Sequence, residues 1–213
     1  MDKRIIIDIT MTVLMHVLMS YSLTSEMYHE IFGIAVFILF LIHHYLNRWW
    51  YKSLKRRKKD PVRIFCDVID ILLFVFMILQ PLSGIMMSRY LFRLNLFPSY
   101  ARSIHLFLAH WGFVLLSLHI GTHLSTMIRR YHIPKIIQIA FLALGANGVY
   151  AFMRRRFMDY MFYRTSFAFF DYDESLFRFF FDHFQIMATF AVTAYFLTKG
   201  DGRQYTKKKK KKN

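Results

Sequence analysis

Cysteine is almost absent: Cys66 is the only one in 213 residues. That excludes an intramolecular disulfide, a four-cysteine iron–sulfur site and the CxxCH attachment of a covalent c-type haem, so any cofactor must be held by other ligands. Acidic residues are scarce too, with 13 Asp and Glu against 29 Lys and Arg and a net charge of +16. Such an excess suits a nucleic-acid partner, but no nucleic-acid motif is present. The basic residues lie between apolar runs, where membrane topology explains them better than phosphate recognition does. Also missing are an internal repeat and any linker that would divide the chain.

What the chain has instead is hydrophobicity, at 56% of residues, and several apolar runs near the twenty residues that cross about 30 Å of hydrocarbon. The expected fold is all-α: an integral membrane protein whose spans fall near residues 5–23, 28–46, 64–88, 103–127, 134–153 and 176–198. These six transmembrane helices make one domain, 1–198, followed by a basic tail, 199–213, ending in "TKKKKKKN". The first run follows Lys3 and Arg4 like a signal peptide, but Asp8 and His16 interrupt it and no small-residue cleavage site follows, so it reads as an uncleaved span. Pro81 in "LQPLSG" predicts a kink in the third span, and Trp49, Trp50 and Tyr51 suit an interfacial aromatic belt.

Charge sets the expected orientation. The segment "NRWWYKSLKRRKKDPVR" holds eight Lys or Arg, "RRYHIPK" three, the N-terminus two and the tail eight, against eight on the opposite side. The positive-inside rule then places both termini in the cytoplasm. The tail's bland role is a solvated topological anchor, although it can also attract anionic lipid.

Ten histidines are the unusual content of so apolar a chain. His29 and His43 lie 14 residues apart in the second span, and His105 and His119 lie 14 apart in the fourth. At 3.6 residues per turn, 14 residues is within about 40° of four turns, so each pair shares a helix face and is separated by about 21 Å along the axis. Even-numbered spans run in the same direction, which levels His29 with His105 and His43 with His119. Each level offers two axial nitrogens for a six-coordinate haem iron, so two b-type haems would stack across the bilayer. Ionisable groups in hydrocarbon are expensive and are kept where they find a partner; iron is one. The other ring N–H of each ligand should donate to a carbonyl or carboxylate.

The neighbours compete for these roles. His44 adjoins His43 but points about 100° away. His123 shares the His105 face at five turns, yet pairing it would lengthen one haem separation to about 27 Å against 21 Å on the other helix. His110 faces away from His105, and His16, His132 and His183 have no equal-spaced counterpart, so they read as packing or loop histidines. Gly33, Gly112 and Gly121 permit close approach by a helix or a porphyrin face. Arg89 and Arg102 on the outer side, and Arg48 and Arg129 on the inner side, are placed to pair with propionates or with lipid headgroups. A quinone would need proton donors close to a haem edge: His123, Asp67 and Asp70 are candidates, with Glu30 and His16 weaker ones.

Three stretches, "HEIFGIAVFILFLIHHYLNRWWYKSL", "SGIMMSRYLF" and "ARSIHLFLAHWGFVLLSLHIGTH", and less specifically Arg164 to Glu174, resemble a bacterial membrane family of undefined function related to di-haem cytochrome b subunits such as the formate dehydrogenase gamma subunit. The resemblance covers about the middle half of the chain. It implies a helical electron conduit in the bacterial cytoplasmic membrane, with His29, His43, His105 and His119 matching the family's histidines. No soluble flavin or nicotinamide domain is visible, so electrons would come from a partner subunit or a quinol. Two other classes stay open: a His-lined proton or transition-metal transporter, for which His119 and His123 at i and i+4 are the best feature, and a cofactor-free membrane anchor.

Overall fold

A computed structural model of the chain describes residues 3–21, 25–56, 60–94, 96–165, 167 and 173–199. The expected basic tail beyond Lys199 lies outside the described residues. Among the described residues every regular element is a helix: α1 Lys3–Met19, α2 Glu26–Leu46, α3 Trp49–Arg56, α4 Pro61–Met86, α5 Pro98–Tyr131, α6 Lys135–Arg154, α7 Phe157–Met161 and α8 Leu176–Thr198. Three of them, α2, α5 and α6, are long and apolar enough to cross a membrane. The helices α1, α4 and α8 fall at the other three expected positions.

Local chemistry sets the ends. Ser25 accepts from the Tyr28 N–H to start α2, Asp60 accepts from Arg63 with Pro61 at the first helical position of α4, and Ser175 accepts from Arg178 to start α8. Phe97 and His132 flank α5 with positive φ, 46° and 50°. Helix α4 continues as one element past Pro81, so the predicted kink does not divide it. The short helices α3 and α7 occupy segments expected as loops.

Packing divides the bundle at α5. On one side Met15, Val36, Phe40 and Met77 form a buried cluster from α1, α2 and α4; on the other, Phe113, Val114, Ala151, Phe157, Ile186 and Met187 join α5, α6, α7 and α8. Leu116 of α5 touches both. The α6–α8 contact is backbone-close because Gly145 and Gly148 face Ala188 and Gln185; a Cβ at Gly148 would collide with the Gln185 carbonyl and the Thr189 hydroxyl. Gly121 likewise sits on the Ala191 backbone, so this glycine serves helix packing. Among the described residues α2 and α5 are not a close-packed helix pair, although α2 meets α4 and α4 meets α5. They face each other through side chains.

Candidate functional site: two levels of histidine between α2 and α5

At the first level the His29 and His105 rings lie 6.0 Å apart between centroids, at an interplanar angle of 67°. The Ser83 hydroxyl donates to the Gln80 carbonyl at 2.7 Å, so it accepts from His105 Nδ1–H at 3.0 Å. That bond selects the tautomer in which Nε2 carries the lone pair. The Gln80 amide N–H donates to this lone pair at 3.1 Å, which leaves Gln80 Oε1 buried without a partner. His29 Nδ1 is also buried and unpartnered. Four side-chain atoms among the described residues share that condition, and these two lie at one level of one site. Buried polar atoms are rarely left so, and their concentration marks a place where a polar or metal partner would lower the free energy.

The second level has a different construction. His43 Nδ1–H donates to Asp8 Oδ1 of α1 at 2.7 Å, and His119 Nδ1–H donates to Asp70 Oδ1 of α4 at 2.7 Å. A carboxylate behind Nδ1 fixes the ring and its tautomer and leaves the Nε2 lone pair free. His43 and His119 rings are not in contact, but both lie within electrostatic reach of His44 and His123. His44 is packed among Phe40, Phe74 and Tyr51, and the Tyr51 hydroxyl donates to its Nδ1 at 2.9 Å. Burial raises the Tyr51 pKa, which keeps that donor protonated. His123 stacks edge-on with His119 at 4.9 Å and is exposed on the bundle surface. Asp67, one turn before Asp70, is half-buried and bonds to no histidine among the described residues.

The space between levels is framed by small residues. Gly112 lies midway between His105 and His119 on α5; it is buried, yet a Cβ there would meet nothing within 4 Å, and Gly33 on α2 is equally open. Gly84 of α4 gives His105 room, since a Cβ would stand 3.3 Å from the ring.

The end of the bundle beside His29 is closed by an ion pair and a turn. Glu30 accepts from the backbone N–H groups of Arg89 and Leu91 at 2.8 and 2.9 Å and from the Ser88 hydroxyl at 2.9 Å, so it anchors the loop after α4. Arg89 reaches Glu26 at 3.2 Å, and Glu26 also accepts from the Tyr21 hydroxyl at 2.7 Å. Burial first, then that hydrogen bond, push the Tyr21 pKa up to about 12. Tyr21 rests edge-on against His29 at 5.2 Å, and Arg102 is close enough to act on it electrostatically. At the other end Arg48 covers the Tyr45 ring and Arg129 is exposed in the last turn of α5.

Three of the four remaining imidazoles form a separate packed group, and His132 is exposed at the end of α5. His16, His110 and His183 each donate Nδ1–H to the carbonyl four residues earlier, at 2.7–2.9 Å, among Phe113, Phe157 and Phe179. The arginines after α6, expected only as outer-loop charge, close a network instead: Asp182, 1% exposed, bonds both Arg154 and Arg155, and Arg155 forks onto Glu174 at 2.5 Å. Among the described residues no group of three or more His, Cys, Asp or Glu is placed to hold a bare metal ion. Comparison of the chain with family models, with curated proteins and with solved structures returns no match.

Asp8, Ser83, Gln80 and Tyr21 are site residues that the spacing of histidines did not single out. Asp8 carried a usable signal: a carboxylate inside an apolar run needs a partner.

Proposed function

We propose that this chain is a di-haem b-type membrane cytochrome that passes single electrons across the bilayer, as a subunit of an oxidoreductase served by a quinol or a redox partner protein. The observation that carries the reading is the register of α2 and α5: His29 meets His105 at one end, and His43 and His119 share one electrostatic cluster at the other, each backed by a carboxylate. Rings in ordinary edge contact also stand 6.0 Å apart, so the distance between His29 and His105 does not discriminate and the register does. Haem iron needs only two protein ligands per level, whereas a bare transition ion in a transporter asks for three or four. When bound, haem supplies reversible one-electron storage at each level. The protein's part is to orient His29, His105, His43 and His119, with Asp8, Asp70 and Ser83 holding Nε2 of His43, His119 and His105 as the unprotonated nitrogen.

In this reading α1, α2, α4, α5, α6 and α8 all span the bacterial cytoplasmic membrane, with α3 along its inner surface and both termini cytoplasmic. The carboxylate-backed histidines then lie toward the cytoplasm. Asp70 and His123 there supply proton-exchanging groups beside the second level, as quinone chemistry requires. Arg102 and Arg129 are the expected propionate partners still open to solvent or ligand, Arg89 and Arg48 having local contacts.

The test is optical. Protein purified from haem-sufficient cells should show a reduced-minus-oxidised b-type spectrum with two haems per chain by pyridine haemochrome. A colourless, folded preparation rejects the proposal and favours the cofactor-free anchor; stoichiometric zinc, copper or nickel without haem favours transport.

A further inference from the structure

Helices α6 and α8 touch backbone to backbone at Gly145 and Gly148, but toward Lys135 and Lys199 the same interface carries branched and aromatic side chains, and a cleft of about 440 Å³ opens between them and the end of α5. Ile128, Leu142, Val192 and Phe196 are among its apolar walls, and among the described residues only Lys135 and Lys199 bring charge to it and no carboxylate lines it. Lys199 is exposed, and its Nζ stands 5.5 and 5.7 Å from the Tyr195 and Phe196 ring centroids, which holds the ammonium at the mouth.

From this pairing of an apolar trough with a rim whose charges, among the described residues, are Lys135 and Lys199, we infer that the cleft is a specific site for one anionic phospholipid, its acyl chain along the α6–α8 trough and its phosphate against those two lysines. Charge complementarity selects this occupant. A second copy of a chain with net charge +16 would bring a like-charged rim, and a soluble anion would leave the apolar walls uncovered. The walls face hydrocarbon because α6 is one of the helices apolar enough to cross a membrane, and basic pockets between such helices are the places where anionic headgroups are recognised. The inference stands independently of haem.

Full-length protein in detergent, titrated with phosphatidylglycerol or phosphatidylcholine of identical acyl chains, would have its bound lipid counted by native mass spectrometry. One phosphatidylglycerol should be retained in preference, inorganic phosphate should not displace it, and Lys135→Gln with Lys199→Gln should weaken it about twenty-five-fold, from about five-fold per lysine. Both lysines are exposed, so the double variant keeps the fold, which circular dichroism checks. Leu142→Trp, which fills the trough and keeps the rim, should also lose the lipid. Equal retention of the two lipids, wild-type binding by the double lysine variant, displacement by phosphate, or loss of preference on replacing Lys207–Lys212 by Gln with Lys135 and Lys199 intact would each overturn it.

Discussion

Replacing Asp70 by Asn removes one negative charge behind His119 and almost no volume. Asp70 and Asp8 hold their histidines at the same distance, 2.7 Å, but differ in exposure: the Asp70 side chain is 17% exposed and the Asp8 side chain 49%. Water and salt screen the second pair more than the first. Loss of a carboxylate behind a metal-bound imidazole costs about 10- to 100-fold in affinity, or about 1.4–2.7 kcal/mol. Asp70→Asn belongs near the upper figure and Asp8→Asn near the lower. Under the proposed di-haem reading, the assay is haem loss from each purified variant to a haem-scavenging apoprotein, followed at the Soret band. The reduction potential of the affected haem should rise as well, because the anion that stabilises the oxidised state is gone. Asp8→Asn equalling or exceeding Asp70→Asn, or neither variant altering haem retention, would refute the assignment of these carboxylates.

Three further outcomes are expected. Gly148→Ala should destabilise the bundle by about 1–3 kcal/mol through collision with Gln185 and Thr189, whereas Gly112→Ala, with open space at its Cβ, should be neutral or gain up to about 1 kcal/mol of helix propensity; unfolding in a denaturing detergent ranks them. Asp182→Ala removes the buried anion that Arg154 and Arg155 share; Arg155 keeps Glu174 and Arg154 is 31% exposed, so the cost should be about 1–3 kcal/mol, measured in the same titration. Tyr21 has its folded pKa raised from 10 to about 12, so its stabilising contribution is whole below pH 10 and is lost as pH climbs toward 12. Tyr21→Phe should flatten that part of the stability curve, and an unchanged slope would show that the phenol plays no such part.

Much of this architecture is legible in the linear chain. Six of the eight helices match the expected apolar runs to within about five residues at each end, because twenty-residue apolar windows carry a strong signal. The short elements α3 and α7 escape it: a helix of eight or five residues has no repeat long enough to read, and Trp49–Arg56 is polar enough to pass for loop. The 14-residue histidine spacing is equally visible, since one helix fixes it. What crosses between helices is not. That Asp8 of α1 meets His43, that Asp70 but not Asp67 meets His119, and that Ser83 orients His105 all depend on helix rotation, which spacing within one helix cannot report. The arginines after α6 show the same limit: their run reads as topology, while their acidic partner Asp182 lies 27 and 28 residues further on, inside an apolar helix.

The most direct test counts haem in histidine variants taken in pairs. With His29 and His105 on one iron and His43 and His119 on the other, His29→Ala, His105→Ala and their double variant should each retain one haem, the same one by potential and band position, while His29→Ala with His43→Ala should retain none. Loss of both haems on removing His29 and His105, or two haems persisting without His43 and His119, would contradict the pairing.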